Sequence, residues 1–382
     1  MKILHITPYY WPAERYGGPV FSVHGLSTAL AKRGHEVHVY TTNRDGASVL
    51  KVPVNKPVMQ NGVSVQYFAS PAGFDRFFFS STMDQAVKEN IASFDMVHIH
   101  TSFAWTTGMA ARVALKAGVP YIFSPRGMLE KSLFQAKSSF VKWLWLYLIG
   151  KKVLKRAKYI HVTSGREQKE LEKFSLKLAP VKIVANGVAF PQEITEDEKQ
   201  IVQHWQKQEY ILALGRISWK KGLDRLISAW SFGIELPLII AGNDDEKITP
   251  TLFAQARDEG VADRIYYIGP IEGDKKWLIL KNASMLVLPS YSENFGNVVL
   301  EAMAVGCPVI TTTQVGAATI VKKAKAGLVV AGDPIAISQA IQELLPDQYL
   351  RKSMSKRGID YAKRYYTWDI IADTMEELYF DD

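Results

Sequence analysis

The chain has 382 residues, of which 47% are hydrophobic and 22% charged, too long for one ordinary core and suited to about two globular domains rather than to a fibrous or disordered chain. No apolar run approaches the roughly 20 residues that span a bilayer, the opening Met1–Thr7 lacks the apolar region of a signal peptide, and a lone cysteine, Cys307, precludes an intrachain disulfide, so the expectation is a cytoplasmic protein. A formal net charge of +8 favours acidic partners, and its placement must decide between nucleic acid and anionic lipid.

Residues 2–7 read as a strand, followed by Arg15-Tyr16-Gly17-Gly18-Pro19 and a helix from about Val20 to Arg33. Gly17 and Gly18 carry no Cβ and let the backbone approach a ligand closely, or they simply form a βα turn. The G-x-G-x-x-G of dinucleotide binders is missing here, which argues against NAD. Glu36–Thr41 is the second strand, and 43–79 is a mixed region whose Phe77-Phe78-Phe79 fits either a core or a lip on the substrate side. Met96–His100 is another buried strand, with His98 and His100 on one face because strand side chains alternate. No acidic or cysteine neighbour in sequence completes a metal set with them, and no metal is expected.

Val119–Ser124 leads into the loop holding Arg126, a residue that clamps a phosphate or a sugar carboxylate but is no base at neutral pH. Phe140–Gly150 is apolar all round, and Lys151, Lys152, Lys155, Arg156 and Lys158 follow at once. Two readings stay open: a buried helix with a solvated end, or an interfacial element whose tryptophans sit at the headgroup level while the basic cluster holds anionic lipid. Nucleic acid is disfavoured, because the basic residues form one short cluster with no recognition helix or RNP-like strand. Tyr159–Thr163 and Val181–Val184 close the first domain, with a turn at Asn186-Gly187 and a polar linker from Pro191.

The second domain opens at Tyr210–Gly222, a strand and a loop bearing Arg216 and Lys221, two cations able to neutralise a leaving diphosphate without a metal. Pro237–Gly242 is a core strand whose loop carries Asp244-Asp245-Glu246, read as solvated rather than as a metal site. Arg264–Ile271 is the next strand. Met285–Leu288 breaks at Pro289, passes through Ser292-Glu293-Asn294-Phe295-Gly296 and re-enters a helix at Asn297. That loop lies at a strand's carboxyl end, where open α/β sheets bind ligands, and the helix start favours an anion. Glu293 and Glu301 bracket it and accept hydrogen bonds from sugar hydroxyls. Phosphate with polyol points to a nucleotide sugar. Strands at Val309–Thr312 and Gly327–Val330 follow, and Tyr361–Leu378 reads as one amphipathic helix.

Glu293 and Glu301, flanked by Phe295-Gly296 and by Gly306-Cys307-Pro308, resemble the E-x7-E signature of retaining glycosyltransferases of family 4. The resemblance covers nearly the whole chain, most strongly Tyr210–Gly332. It implies a GT-B α/β fold of two Rossmann-like domains facing a cleft, at 1–190 and 191–362, with a final segment 363–382 packing back on the first. It also implies that Arg216 and Lys221 hold the donor diphosphate, with Arg216, Lys221 and Glu293 as the catalytic set. By the same resemblance Glu301 binds the ribose, Phe295, Gly296 and Asn297 the sugar or phosphate through their backbone, Gly269 and Ile271 the base, and Gly17 and Gly18 the region of the phosphates. His100, Arg126 and Asn186 fall in the acceptor or sugar pocket, with a satisfied buried histidine as the alternative for His100. Arg126 stands where many members have histidine and Thr319 where they often have glutamate, so a non-catalytic nucleotide-sugar binder acting in assembly stays open; a pyridoxal phosphate phosphorylase needs a Schiff-base lysine that no segment recommends. The expected activity is hexosyl transfer without a metal or other cofactor, from a UDP-hexose such as UDP-glucose or from GDP-mannose. The expected acceptor is a saccharide, in particular a lipid-linked one of surface or exopolysaccharide synthesis, at an anionic membrane face.

Overall fold

The computed structural model describes residues 1–71, 77–135, 139–191, 208–271 and 273–381; most of the expected polar linker lies outside them. The chain divides into two compact units, Met1–Gly187 with Trp368–Asp382, and Val188–Thr367. The first unit contains β1 (Lys2–Ile6), β2 (Glu36–Thr42), a short ribbon of β3 (Arg44–Asp45) and β4 (Ser48–Val49), β5 (Pro57–Gln60), β6 (Val63–Phe68), β7 (Met96–His100), β8 (Tyr121–Ser124), β9 (Tyr159–Val162) and β10 (Val181–Ile183). Its main sheet runs β10-β9-β8-β7-β1-β2-β6-β5. All neighbours pair in parallel except β5 with β6. Pro57, which has no N–H for a ladder, is tolerated because β5 is an edge.

The second unit holds β11 (Ile211–Leu214), β12 (Leu238–Ala241), β13 (Ile265–Tyr267), β14 (Met285–Leu288), β15 (Val309–Thr312) and β16 (Gly327–Val330), in the order β13-β12-β11-β14-β15-β16, all parallel. In each sheet the first three parallel strands build outward to one side and the next begin again on the other side of the first. This is the doubly wound order, and it reverses at β1/β7 and at β11/β14, the switch points where such sheets bind ligands. Strands with both faces covered must be apolar throughout, and Ile211–Leu214, Leu238–Ala241 and Met285–Leu288 are buried at every residue.

The expected single helix over Tyr361–Leu378 is two helices, Gln348–Tyr365 and Trp368–Phe380. Between them the Tyr366 carbonyl accepts the Val188 N–H at 2.7 Å, and Thr367 forms a parallel bridge with Val188, so the backbone leaves the helical path for two residues. The first helix belongs to the second unit and the last to the first. Asp369, Asp373 and Glu376 share one face of the last helix and all meet the Arg33 guanidinium, Asp369 at 3.0 Å and Glu376 at 2.8 Å. Trp368 fills the space over two glycines: a Cβ on Gly25 would lie 2.2 Å from its ring, and one on Gly187 2.6 Å.

Gly25→Ala should therefore destabilise the protein by about 1–3 kcal/mol through overpacking. Gly165→Ala, in a helix start with nothing within 4 Å of the new methyl, should be neutral or slightly stabilising. Urea midpoints of the two variants check this: equal midpoints would mean that Trp368 does not fix the last helix.

Candidate functional site

The second unit gathers most of the expected site at its switch point. A pocket at the carboxyl ends of β11 and β14 is lined by Gly215, Arg216, Lys221, Leu223, Leu288 and Pro289. Backbone packs tightly behind Gly215: a Cβ on Gly242 (φ +149°) would fall 1.8 Å from the Gly215 carbonyl oxygen. The Gly242 N–H in turn donates to Gly269 O at 2.8 Å, which ties Gly269 to this backbone; Ile271 follows just beyond, past the edge strand β13. Arg216 is exposed and forms no ion pair or hydrogen bond among the described residues.

Lys221 is ion-paired with Glu293, so one of the two expected diphosphate cations meets an expected sugar-binding carboxylate directly. Glu301 is likewise paired, with Lys276 Nζ at 2.9 Å. Two carboxylates beside a phosphate site would repel it; each is neutralised by a lysine, and the charge of Arg216 remains over. The Glu293–Gly296 loop is pinned to the loop after β15: Glu293 N–H donates to Gln314 O at 3.1 Å, Gly316 N–H to Glu293 O at 3.0 Å and Ala317 N–H to Phe295 O at 2.8 Å. The Phe295 ring is buried and anchors the turn, while Gly296 (φ +90°) leads into the helix Asn297–Ala304.

A clamp joins the two loops of this pocket. Arg225 donates to the Pro289 carbonyl at 2.6 Å and lies 4.0 Å over the Tyr291 ring. The Tyr291 hydroxyl donates to Asp224 at 2.7 Å and its N–H to Lys220 O at 2.8 Å. Neither this clamp nor Lys276 was visible in the sequence, because each pairs elements remote along the chain, Lys276 and Glu301 on two different helices. Two of the acidic triplet are occupied with the backbone, Asp244 accepting from the N–H groups of Ile248 (2.9 Å) and Thr249 (3.0 Å) and Glu246 from Trp219 N–H at 3.1 Å, while Asp245 is exposed. Thr319 is exposed on the helix Ala318–Ala324.

The first unit carries Gly17, Gly18, His100, Arg126 and Asn186. Gly17 (φ +68°) precedes the helix Gly18–Lys32. The last three are brought together: Arg126 Nε and Nη2 donate to His100 Nδ1 at 3.4 and 3.2 Å, and Nη1 to Asn186 Oδ1 at 3.1 Å. Phe77 is exposed, whereas Phe78 packs edge-on to Tyr9 and Tyr16.

Sequence paired His98 only with His100, but strand register adds His5 from β1 and His161 from β9. Their protons can be assigned from the hydrogen bonds. Val184 O only accepts, so His161 Nε2 carries hydrogen and donates at 2.9 Å. Its Nδ1 then accepts from Ser124 Oγ at 2.8 Å, Ser124 accepts from His98 Nε2 at 2.7 Å, and His98 Nδ1 accepts from the Tyr379 hydroxyl at 2.7 Å. Because Arg126 only donates, His100 Nδ1 is bare and His100 Nε2–H donates to His5 Nδ1 at 2.9 Å. The whole web is neutral. Burial, reinforced by Arg126, lowers His5 and His161 to about 3, and burial with the neighbouring rings lowers His98 and His100 well below the ordinary value.

Among the described residues, His5, His98 and His100 are the one group close enough to hold a metal ion, with ligand atoms within 4.8 Å of one another. They do not fit one. Their nitrogens are committed to each other and to Tyr379, Ser124 and Arg126, except His5 Nε2, and the Arg126 cation lies against His100.

Phe140–Gly150 is not buried as a whole. It forms the helix Ser139–Trp145 and a π-helical turn Leu146–Gly150, with Leu146 buried while Phe140 (76%), Trp143 (49%), Tyr147 (69%) and Leu148 (57%) are exposed. Lys151, Lys152, Lys155 and Arg156 beside them are also exposed. Among the described residues no helix is long and apolar enough to cross a membrane. Cys307 is a core residue whose thiol burial pushes up to about 12.

Residues 194–361 match the model of "Glycosyl transferases group 1", and residues 16–190 that of "Glycosyltransferase Family 4". The chain is 26% identical to a glycosyltransferase of Methanocaldococcus jannaschii, covering 99% of this chain and 98% of the other. It is 27% identical to a D-inositol 3-phosphate glycosyltransferase of Xylanimonas cellulosilytica, covering 99% and 95%. Among solved structures it is similar to sucrose-phosphate synthase from Thermosynechococcus elongatus, with a TM-score of 0.79 at 20% identity over 99% and 98% of the two chains. It is also similar to HepE of Anabaena in complex with UDP and glucose, with a TM-score of 0.77 at 17% identity over 99% and 98%. Both likenesses are of fold.

The imidazoles ionise at about 6.5 in an unfolded chain and are held neutral when folded, so the unfolded state binds more protons once pH falls below that value. Stability should be fully present above about pH 6.5 and decline toward pH 3, by up to about 1.4 kcal/mol per pH unit for each imidazole. Urea midpoints between pH 8 and 4.5, above the carboxylate range, provide the check. A flat profile across that window would contradict the neutral web.

Proposed function

Because the chain belongs to glycosyltransferase family 4 and has the GT-B fold, we propose that it moves a hexose from a nucleotide sugar, UDP-glucose in the first place and GDP-mannose in the second, to a saccharide acceptor. The observation that carries this reading is the second unit's pocket at the β11/β14 switch point, lined by Arg216 and Lys221, with Glu293 ion-paired to Lys221. Arg216 and Lys221 bind the diphosphate, Glu293 the sugar hydroxyls, Glu301 the ribose, and the backbone at Phe295–Asn297 the sugar or phosphate. Gly269 and Ile271 border the base. Gly17 and Gly18 belong to the donor-binding set, and His100, Arg126 and Asn186 to the sugar or acceptor pocket. HepE, similar in fold, is a complex with UDP and glucose, which supports the preference for UDP.

Transfer proceeds with retention. The bond from the anomeric carbon to the β-phosphate oxygen breaks with its electron pair going to the nucleoside diphosphate. The acceptor oxygen bonds to that carbon on the same face, and its proton passes to the leaving phosphate oxygen. Arg216 and Lys221 stabilise the charge that develops there, the term that commonly dominates such catalysis, and no metal is required. For Lys221 to turn to the phosphate, the Glu293 carboxylate must exchange it for sugar hydroxyls, so donor binding opens that ion pair.

UDP at about a hundred times its dissociation constant should stabilise the protein by roughly 2.7 kcal/mol, read as a thermal shift. Glu293→Ala and Glu301→Ala should each lower transfer at least about tenfold with little change in melting temperature, and wild-type activity should persist in excess EDTA. Unchanged turnover in both variants refutes the site. Activity lost to EDTA and restored by magnesium or manganese refutes metal independence, and a wild type that releases no UDP even by slow donor hydrolysis is a binder acting in assembly.

The acceptor is lipid-linked and the protein works at an anionic membrane face in surface or exopolysaccharide synthesis. Exposed Phe140, Trp143, Tyr147 and Leu148 beside exposed Lys151, Lys152, Lys155 and Arg156 support this, since aromatic side chains at headgroup depth and adjacent basic residues are the two parts of a peripheral anchor. Flotation with vesicles containing anionic lipid should carry the protein upward at low salt and less so as salt rises. Changing the four basic residues to glutamine should abolish flotation; an unchanged result means that the segment does not dock.

A further inference from the structure

Arg126 lies at the carboxyl end of β8, is 8% exposed, and has no carboxylate within ion-pairing distance among the described residues. Three of its five N–H bonds go to neutral acceptors, two to His100 and one to Asn186, which leaves two undirected. The acid whose charge acts on it, Glu167, is engaged elsewhere: it accepts from Gly127 N–H at 2.6 Å and from Thr163 N–H and hydroxyl at 2.7 and 2.9 Å. The four imidazoles of the adjoining web are neutral. Burial of a cation without a counter-ion costs several kcal/mol, and a neutral amide could serve His100 and Asn186 without that cost.

Two further polar groups accompany it. Thr101 Oγ1 and Ser102 Oγ, just past the end of β7, are buried and have no hydrogen-bond partner among the described residues. The Thr101 N–H donates to Ser124 O at 2.8 Å, which sets this pair beside the Pro125-Arg126 turn. Arg126 (φ +54°) and Thr101 (φ +76°) both adopt left-handed backbone, a conformation that persists at ligand clamps when the surroundings enforce it.

We propose that Arg126 seats an anionic group, a phosphate or a carboxylate carried by one of the sugar substrates, with the Thr101 and Ser102 hydroxyls as its neighbours. The inference rests on the reading of this unit as the sugar or acceptor side of a glycosyltransferase. A planar guanidinium with two N–H bonds to spare matches either anion and gives a neutral hydroxymethyl group far less. Both sources share one chemistry: a phosphorylated acceptor, or a donor whose sugar is a uronic acid.

Calorimetric titration of the full chain with two matched pairs separates them. The first pair is glucose 6-phosphate against glucose, with UDP present, and the second is UDP-glucuronate against UDP-glucose. The anionic member of one pair should bind about tenfold more tightly or better, and Arg126→Gln should remove that preference. A preference in the first pair puts the anion on the acceptor and in the second on the donor. No preference in either pair, or a preference that survives Arg126→Gln, overturns the proposal. Should Arg126→Gln not fold, Arg126→Lys decides: the preference should weaken severalfold without vanishing, since an ammonium cannot chelate two oxygens in a plane, and an unchanged preference overturns the proposal. Wild-type protein that binds neither UDP nor UDP-glucose defeats the donor assignment instead, a result distinct from binding both without regard to charge.

Discussion

Reversal of strand order in a parallel sheet is the constraint on which the rest of this protein depends. Where β11 and β14 run side by side but their following connections depart in opposite directions, no crossover segment covers their carboxyl ends. Gly215, Pro289 and the loops beyond them therefore border an opening, and the loop bearing Arg216 and Lys221 faces the loop bearing Glu293. The same reversal at β1 and β7 leaves Thr7, Thr101 and the turn at Arg126 at the corresponding edge of the first unit. Each unit has its own core, with Ile211, Leu238, Val287 and Trp230 in one and Leu4, Val97, Ile99 and Phe123 in the other.

Charge at the two edges is handled in opposite ways. In the second unit the two carboxylates that bracket the loop are each matched by a lysine: Glu293 by Lys221, Glu301 by Lys276. Arg216 supplies the excess positive charge, and the clamp of Arg225 on Pro289 and Tyr291 fixes the separation at which these pairs form. In the first unit the layer under the last helix is polar but uncharged, four imidazoles and two hydroxyls in two relays of hydrogen bonds, one from Tyr379 through His98 and Ser124 to His161 and one from Arg126 through His100 to His5. One cation, Arg126, stands at its end. A neutral web of this kind tolerates deep burial because every proton but that on His5 Nε2 has an acceptor, whereas a charged member would have to be matched.

The apolar face at Phe140–Leu148 is a separate device. Its helix is held to the unit by Leu146, by Trp145 against Phe103 and by Trp143 against Phe134, so the exposed side chains are carried on a packed element. Lys151 lies 4.4 Å over the Tyr147 ring, which joins the basic and aromatic parts of the face into one surface.

The amino-acid sequence by itself determined the two-domain α/β architecture, because parallel strands buried on both faces leave continuous apolar runs such as Met285–Leu288, and because Pro289, Gly296 and Gly306 punctuate them. It also determined the candidates after the strand ends, since Arg216, Lys221 and Glu293 lie in the segments that those runs announce and Glu301 one turn inside the helix that follows. Only the tertiary structure decided what these residues touch. Lys276 meeting Glu301, His5 and His161 joining His98 and His100, and Arg225 reaching Pro289 are contacts between elements 25 to 95 positions apart. Register and crossover set them, and neither is written in local periodicity. The break at Tyr366-Thr367 has the same origin: the helical pattern runs straight through it, and the competing partner is Val188, far away in the chain. The exposure of Phe140–Leu148 was undecidable from a stretch that is apolar but for Lys142, because hydrophobicity records what avoids water and not which face the rest of the fold leaves uncovered.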